Sequence, residues 1–339
     1  MTSTDPLSAA WGAVEADVKS RPGGGLLRRR IADTGAAELH LAHEVGSGQW
    51  ELLVGVPPDW RGDLGSMPHW RGVTLELHEE RHDVEVRRFI AIRMDRGGLT
   101  EAFRALATDL VSVLSDDRLG PNTASTLVTR LAAWKRFFDT RGPEGLSPEA
   151  QAGLFGELWF LRQHLLPAIG PSKAVEAWTG SGRSNHDFQL ASGAFEVKTT
   201  TGKEHLKLHV SSERQLDVTG LDALHIVYLV FALLAAAGET LPEIVGDIRS
   251  KLSGEGMASI KFSEKLIEAG YIEDHADRYK AGYALRSGRA YRVREGFPRL
   301  TAANLPEGVG DLSYTVVVAA CEPFRTTIDD AVKTTLHSA

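Results

Sequence analysis

Cysteine is almost absent from this chain. A single residue, Cys321, in 339 excludes an intramolecular disulfide and a cysteine-only zinc site. Long hydrophobic runs are missing too. The longest uncharged apolar stretch, Ile226 to Ala237, falls well short of the ~20 residues that cross a bilayer, and it reads as a buried strand running into a helix or turn. The opening MTSTDPLSAAW has neither the basic nor the apolar part of a secretion signal. These absences predict a soluble protein in a reducing, cytoplasmic setting, with no membrane partner. Positive charge is also short. Lys and Arg total 38 against 45 Asp and Glu, a net charge of -7. That excludes a globally basic coat for nucleic acid, so any such site must be a local basic surface, with acidic groups left for another task such as holding metal. No internal repeat and no long low-complexity tract is visible. At 42% hydrophobic and 24% charged, the chain is not a wholly disordered one. Its length predicts two or three compact units.

The pattern along the chain divides it in three. Residues 1–98 read as a β-rich domain: Glu38 to Glu44, Trp50 to Val56, Val73 to Glu80 and Val84 to Met94 alternate or cluster apolar residues between Gly/Pro/Asp-rich turns. Arg28, Arg29 and Arg30, after three glycines, read as a flexible basic surface. Residues 99–252 open with helical spacing over Leu99 to Leu114 and with a helix capped by Asn122. A further helix starts at Ser147, with Pro148 at its first position and Glu149 in its first turn, and ends by Pro167 and Gly170. The period then changes to strands over Ser184 to Ala191, Gly193 to Thr200 and His205 to Val210. A short helix from Ser211 follows, then a strand at Ala223 to Phe231 apolar enough to be covered on both faces, then a helix at Pro242 to Leu252. Residues 253–339 read as a separate α+β unit, with a helix at FSEKLIEAGY, a hairpin turning at Ser-Gly in YALRSGRAYRV, and a strand at LSYTVVVAAC. The predicted class is α/β, α+β overall: a central αβββαβ core flanked by a β-rich N-terminal and an α+β C-terminal domain.

Chemistry concentrates between Glu157 and Lys198. Glu157 lies inside the apolar helix GLFGELWFL, Asp187 in HDF, and Glu196 and Lys198 in FEVK. Residues i and i+2 of a strand share a face, so Glu196 and Lys198 point one way and Phe195 and Val197 the other. The separation of Asp187 from Glu196 suits neighbours across a tight hairpin. An acidic pair with a lysine on one sheet face suits phosphodiester hydrolysis. There a divalent cation holds the scissile phosphate and lowers the pKa of the attacking water. Mg²⁺ prefers carboxylates, a backbone carbonyl and waters. Asp187 and Glu196 can supply carboxylates, Val197 its carbonyl, and Lys198 a charge beside the phosphorus. Glu157 can hold a second metal or a metal-bound water. Each residue alone has a plainer reading: a solvated strand face for Glu196 and Lys198, a turn for Asp187, and a helix charge pairing with Arg162 for Glu157. Only the ordered set on these elements points to a site.

That ordered set resembles the PD-(D/E)XK nuclease superfamily. The phrases GLFGELWFLR, HDF, FEVKTT and SSERQLD most resemble bacterial proteins known only as PD-(D/E)XK motif proteins, found near restriction and phage-defence genes. The match is densest over residues 145–235, and FPRL at 297–300 also fits. His186 stands where the motif's proline would precede Asp187. The resemblance implies a restriction-endonuclease-like core and a Mg²⁺-dependent endodeoxyribonuclease, with Mn²⁺ as substitute. It implies DNA as the partner, alongside other defence-system proteins or a second copy in a homodimer. The competing expectations are a catalytically silent DNA-binding or scaffold subunit of a defence complex, and a nuclease directed at RNA.

Further contacts are expected around this centre. Ser211, Ser212 and Gln215 can touch the DNA backbone or orient the lysine, or the serines can simply cap a helix. Thr199 and Thr200 can touch phosphate or serve as ordinary strand residues. Arg278 to Arg299 carries Lys280, Arg286, Arg289, Arg292 and Arg294 besides its ends, against one acid, Glu295, with Tyr279, Tyr283 and Tyr291 interleaved. Basic residues among aromatics suit phosphate contact and base stacking; a hairpin with its tyrosines in its own core is the alternative. The twelve histidines form no zinc motif: His78 and His82 lie in a charged hairpin, and His205 and His209 are peripheral to the site.

Overall fold

The computed structural model describes residues 6–20, 25–34, 37–57, 60, 64, 67–68, 73–82, 85–94, 100–115, 123–140, 145–180, 185–191, 193–202, 207–234 and 237–337. They group into two units, Met1–Glu144 and Gly145–Ala339.

The first unit begins with α1 (Pro6–Ser20) and β1 (Leu26–Thr34). β2 (Ala37–Glu44), β3 (Gln49–Val56), β4 (Val73–His82) and β5 (Glu85–Met94) complete one antiparallel sheet in the order β1-β2-β3-β5-β4. Trp11 of α1 stacks on Trp50 of β3, ring centroids 4.1 Å apart. α2 (Thr100–Leu114) and α3 (Thr123–Thr140) follow, and cluster with this unit rather than with the helices after residue 145. The three arginines after the glycines are not a loose basic surface. They lie in β1, where Arg28 pairs with Glu80 and sits 4.5 Å over the Phe89 ring, and Arg29 pairs with Asp17.

The second unit opens with α4 (Pro148–Phe160). Ser147 caps it by accepting the Ala150 N–H at 3.2 Å. A π-helical turn over Leu161–Leu165 leads into α5 (Leu166–Ile169), which Gly170 ends at φ 79°. Then come α6 (Pro171–Ala177), β6 (Phe188–Gln189), β7 (Gly193–Thr200), β8 (Lys207–Val210) and β9 (Ala223–Leu234). β10 (Glu239–Thr240), α7 (Leu241–Lys251), α8 (Gly256–Glu268), β11 (Gly282–Arg292), β12 (Tyr314–Val317), β13 (Arg325–Thr326) and α9 (Ile328–His337) complete the unit. Its main sheet runs β10-β11-β9-β7-β6, with β13 on β11. β7 and β9 are parallel, and β9 and β11 antiparallel. One face packs against α4, α7, α8 and α9 through Phe195, Val197, Val227 and Leu229. The other carries Ala194, Ile226 and Tyr228 against Leu208, Val210 and Val316. Both faces of β9 are therefore covered, as its apolar run predicts.

Four expectations need correction. β8 is not the third strand of the main sheet; it pairs with β12 in a two-stranded ribbon. Its alternation explains why, since Leu208 and Val210 are buried while Lys207 and His209 are exposed, which suits a ribbon lying on a sheet face. No helix starts at Ser211. Residues 213–216 are turns after a bend at Ser212, because the side chains of Ser212 and Gln215 take main-chain N–H groups that a helix would orient otherwise. YALRSGRAYRV is no hairpin but the continuous strand β11, with an irregularity between Leu285 and Ser287. Gly288 makes close packing rather than a turn: a Cβ there would lie 3.0 Å from Ile328 and 3.3 Å from Leu229. It follows that residues 253–339 are not a separate unit, because β11 is a strand of the main sheet and Tyr279 and Tyr283 lie in its core.

Candidate active site

Strand alternation places Glu196 and Lys198 on the β8–β12 side of the main sheet, beside Ile226 and Tyr228 of β9. The β6–β7 pairing matches Phe188 with Phe195, so one step further sets Asp187 opposite Glu196. Asp187 Oδ2 accepts the Val197 N–H at 2.7 Å. Glu196 is 1% exposed. Its Oε1 lies 2.7 Å from Lys198 Nζ, and its buried Oε2 has no hydrogen-bond partner. Lys198 Nζ also donates to Gln215 Oε1 at 3.2 Å, and that oxygen accepts the Ser211 N–H at 2.8 Å.

Glu157 enters from α4. It does not pair with Arg162, which binds Glu239 and Asp247. Glu157 Oε2 instead accepts the indole N–H of Trp178 at 2.8 Å. Gly156 permits this close seat of helix on sheet, since a Cβ there would fall 1.9 Å from Thr199 Oγ1.

Electrostatics reflects the crowding. Burial pushes the Asp187 carboxyl well above its ordinary range, the Glu196 charge adds to the rise, and the Val197 N–H and Lys198 oppose it. Burial likewise raises Glu196, opposed by the charge and hydrogen bond of Lys198 and helped by the charge of Glu157. Glu157 therefore lies within electrostatic reach of Glu196.

These residues fit a hard divalent cation in one specific respect. A buried carboxylate oxygen without a donor is costly, and a cation would satisfy it. Among the described residues, no three His, Cys, Asp or Glu side chains gather into a metal site. The ligands on offer are thus the two carboxylates across β6–β7 and main-chain oxygen.

Other expected residues are placed less favourably. The Thr199 hydroxyl is buried toward α4, away from the Lys198 face. Ser212 accepts the Arg214 N–H at 3.3 Å. Tyr279, Tyr283 and Tyr291 are buried, so they cannot stack on bases. In β11, Arg289 lies in register with Tyr228 and Lys198 and so shares their face, while Arg292 pairs with His225 and Phe195 on the opposite one. Arg289 is bound by Glu322 at 3.2 Å, and Arg294 lies 5.6 Å over the Phe324 ring. Lys280, Arg286, Arg292 and Arg294 are exposed. His209 Nε2 lies 3.4 Å from Ser313 Oγ and His78 lies 3.5 Å from Glu76, while His205 falls outside the described residues.

Trp178 was not legible as part of this site. Its only sequence signal is general: a buried indole N–H needs an acceptor, and a helix carboxylate is one.

The chain matches, over residues 7–319, a family model described as "Putative PD-(D/E)XK family member, (DUF4420)". No curated protein and no solved structure matches it. Among the described residues no helix is long and apolar enough to cross a membrane. With a match over nearly its whole length, the chain belongs to the DUF4420 family, within the PD-(D/E)XK group.

Proposed function

We propose that the protein is a Mg²⁺-dependent endonuclease that hydrolyses DNA phosphodiester bonds, in the cytoplasm and in a restriction or phage-defence setting. The observation that carries the reading is Glu196. It is buried, one oxygen is held by Lys198, the other has no partner, and Asp187 lies across the strand pair. Family membership supports nuclease chemistry, and the likeness of FEVKTT and SSERQLD to defence-associated proteins supports the setting.

Asp187 and Glu196, with the carbonyl of Val197, would hold the cation, and Glu157, from the helix side, would hold a metal-bound water rather than the ion itself. A bound cation would offset the two carboxylates, polarise a phosphoryl oxygen and acidify the attacking water. The chain's own contribution is placement. Glu196 and Gln215 fix the Lys198 ammonium from two sides, so it stands ready for charge growing on the phosphoryl oxygens. Asp187 is locked by the Val197 N–H, which keeps its carboxylate over the strand.

A second reading, a silent DNA-binding or scaffold subunit, draws on a different fact. Glu196 already has a cation in Lys198, and no three ligands gather among the described residues. One experiment separates the two: incubation of plasmid, linear and methylated DNA, and of RNA, with Mg²⁺, Mn²⁺ or EDTA. Metal-dependent cleavage by the wild type is expected, abolished in Asp187→Asn and lowered about 10²–10³-fold in Lys198→Ala with DNA affinity retained. Binding without cleavage in every arm supports the scaffold.

A further inference from the structure

We propose that Trp178 is a positioning residue for Glu157, and that Lys265 holds Trp178 to that task; the inference rests on reading the site as a divalent-metal centre. Trp178 follows α6 in extended conformation and is fully buried. Its main chain bridges to Phe188, the neighbour of Asp187. Its side chain donates to Glu157 Oε2 at 2.8 Å. One residue thus ties the strand end that carries Asp187 to the helix that carries Glu157.

Lys265 of α8 supports this junction. Its Nζ donates to the carbonyls of Val175 at 2.7 Å, of Glu176 at 3.0 Å, and of Trp178. These carbonyls end α6 and need a donor from outside the helix. Phe262, also from α8, packs on the indole with centroids 5.7 Å apart. The contacts run from α8 through the end of α6 to Trp178, and end at a carboxylate whose charge acts on Glu196. A backbone carbonyl would satisfy the indole N–H for folding alone. A carboxylate whose charge reaches Glu196 gains more from that donor, because hydrogen bonds around a metal centre orient the groups that hold its ligands and waters.

The test is Mn²⁺ titration of the full chain by calorimetry, with ¹⁵N-indole NMR of the same protein during Mg²⁺ titration. Trp178→Phe keeps a ring and removes the donor. It is expected to weaken Mn²⁺ binding about tenfold, the lower end of what removing such a partner does. Combined with Glu157→Gln it should add little to the effect of that change alone. Lys265→Met should act in the same direction by a smaller factor. In the wild type, the indole resonance that is missing from Trp178→Phe should shift on Mg²⁺ addition and move again in Glu157→Gln. If Trp178→Phe folds poorly, the resonance that moves in Glu157→Gln is followed instead, with Lys265→Met as the variant. Unchanged Mn²⁺ affinity together with no indole shift overturns the positioning role, while loss of binding in Asp187→Asn leaves the metal-centre reading standing. If Asp187→Asn also binds Mn²⁺ like the wild type, both fall.

Discussion

At the scale of single residues, Glu196 meets opposing demands. Burial disfavours its charge, Lys198 favours it, and burial wins, so its carboxyl titrates above the ordinary range together with that of Asp187. The consequence for stability has a definite sign. A carboxyl raised in the folded state binds its proton more tightly there than in the unfolded chain. The contribution of this pair to stability is therefore largest at acid pH, and falls as pH rises from the ordinary carboxylate range of about 3.9–4.3 through the raised values. Asp187→Asn removes one of the charges and can still accept the Val197 N–H. It should raise the melting temperature at pH 7 and make no difference near pH 4, as read by scanning calorimetry. Mg²⁺ should stabilise the wild type at pH 7 and leave Asp187→Asn unmoved.

At the scale of elements, the site depends on how close α4 comes to β7. Gly156 faces Thr199 with no room for a methyl group. Gly156→Ala should destabilise by about 1–3 kcal/mol, the usual range for overpacking, and denaturant unfolding of the variant checks it. Thr199→Ala in the same chain should recover part of the deficit, since the nearest clash is with its Oγ1. β11 makes a second element-level prediction, because its alternation sends Arg289 and Arg292 to opposite faces. Arg292→Gln should leave DNA affinity unchanged. Arg294→Gln and Arg289→Gln should weaken it and lower the salt slope, by about 0.9 for each phosphate no longer neutralised, in binding titrations at several salt concentrations. Equal effects from Arg289 and Arg292 would place DNA elsewhere than on the Lys198 face.

At the scale of the whole molecule, the two units divide the labour unequally. Glu157, Trp178, Asp187, Glu196, Lys198 and Gln215 all belong to Gly145–Ala339. A chain of residues 145–339 should bind Mn²⁺ with the affinity of the full protein, measured by the same calorimetry. A large drop would show that the first unit contributes to the metal centre. That first unit buries its own apolar surface around Trp11, Trp50 and Phe103.

The sequence by itself determined what local rules govern. Ser147, Pro148 and Gly170 bound the α4–α5 stretch because capping and helix ends are decided within a few residues. Period-2 alternation put Glu196 and Lys198 on one face because side-chain direction in a strand follows position alone. The order of Glu157, Asp187, Glu196 and Lys198 along the chain is that of the family's motif. Other features depended on partners distant in sequence. β8 alternates as any strand with one buried face does, and its hydrogen bonds to β12, about a hundred residues away, decide that it joins a ribbon and not the main sheet. Ser-Gly at 287–288 has the look of a turn, yet packing against α9 and β9 keeps the strand running through it. The interleaved tyrosines read as base stackers, with a place in the core as the alternative, and only burial between layers decided for core. Trp178 became part of the site solely because α6 and α8 bring its indole to Glu157. A strand's alternation is a property of its own backbone, whereas its neighbours, and the acceptor a buried N–H finds, depend on how the rest of the chain closes around it.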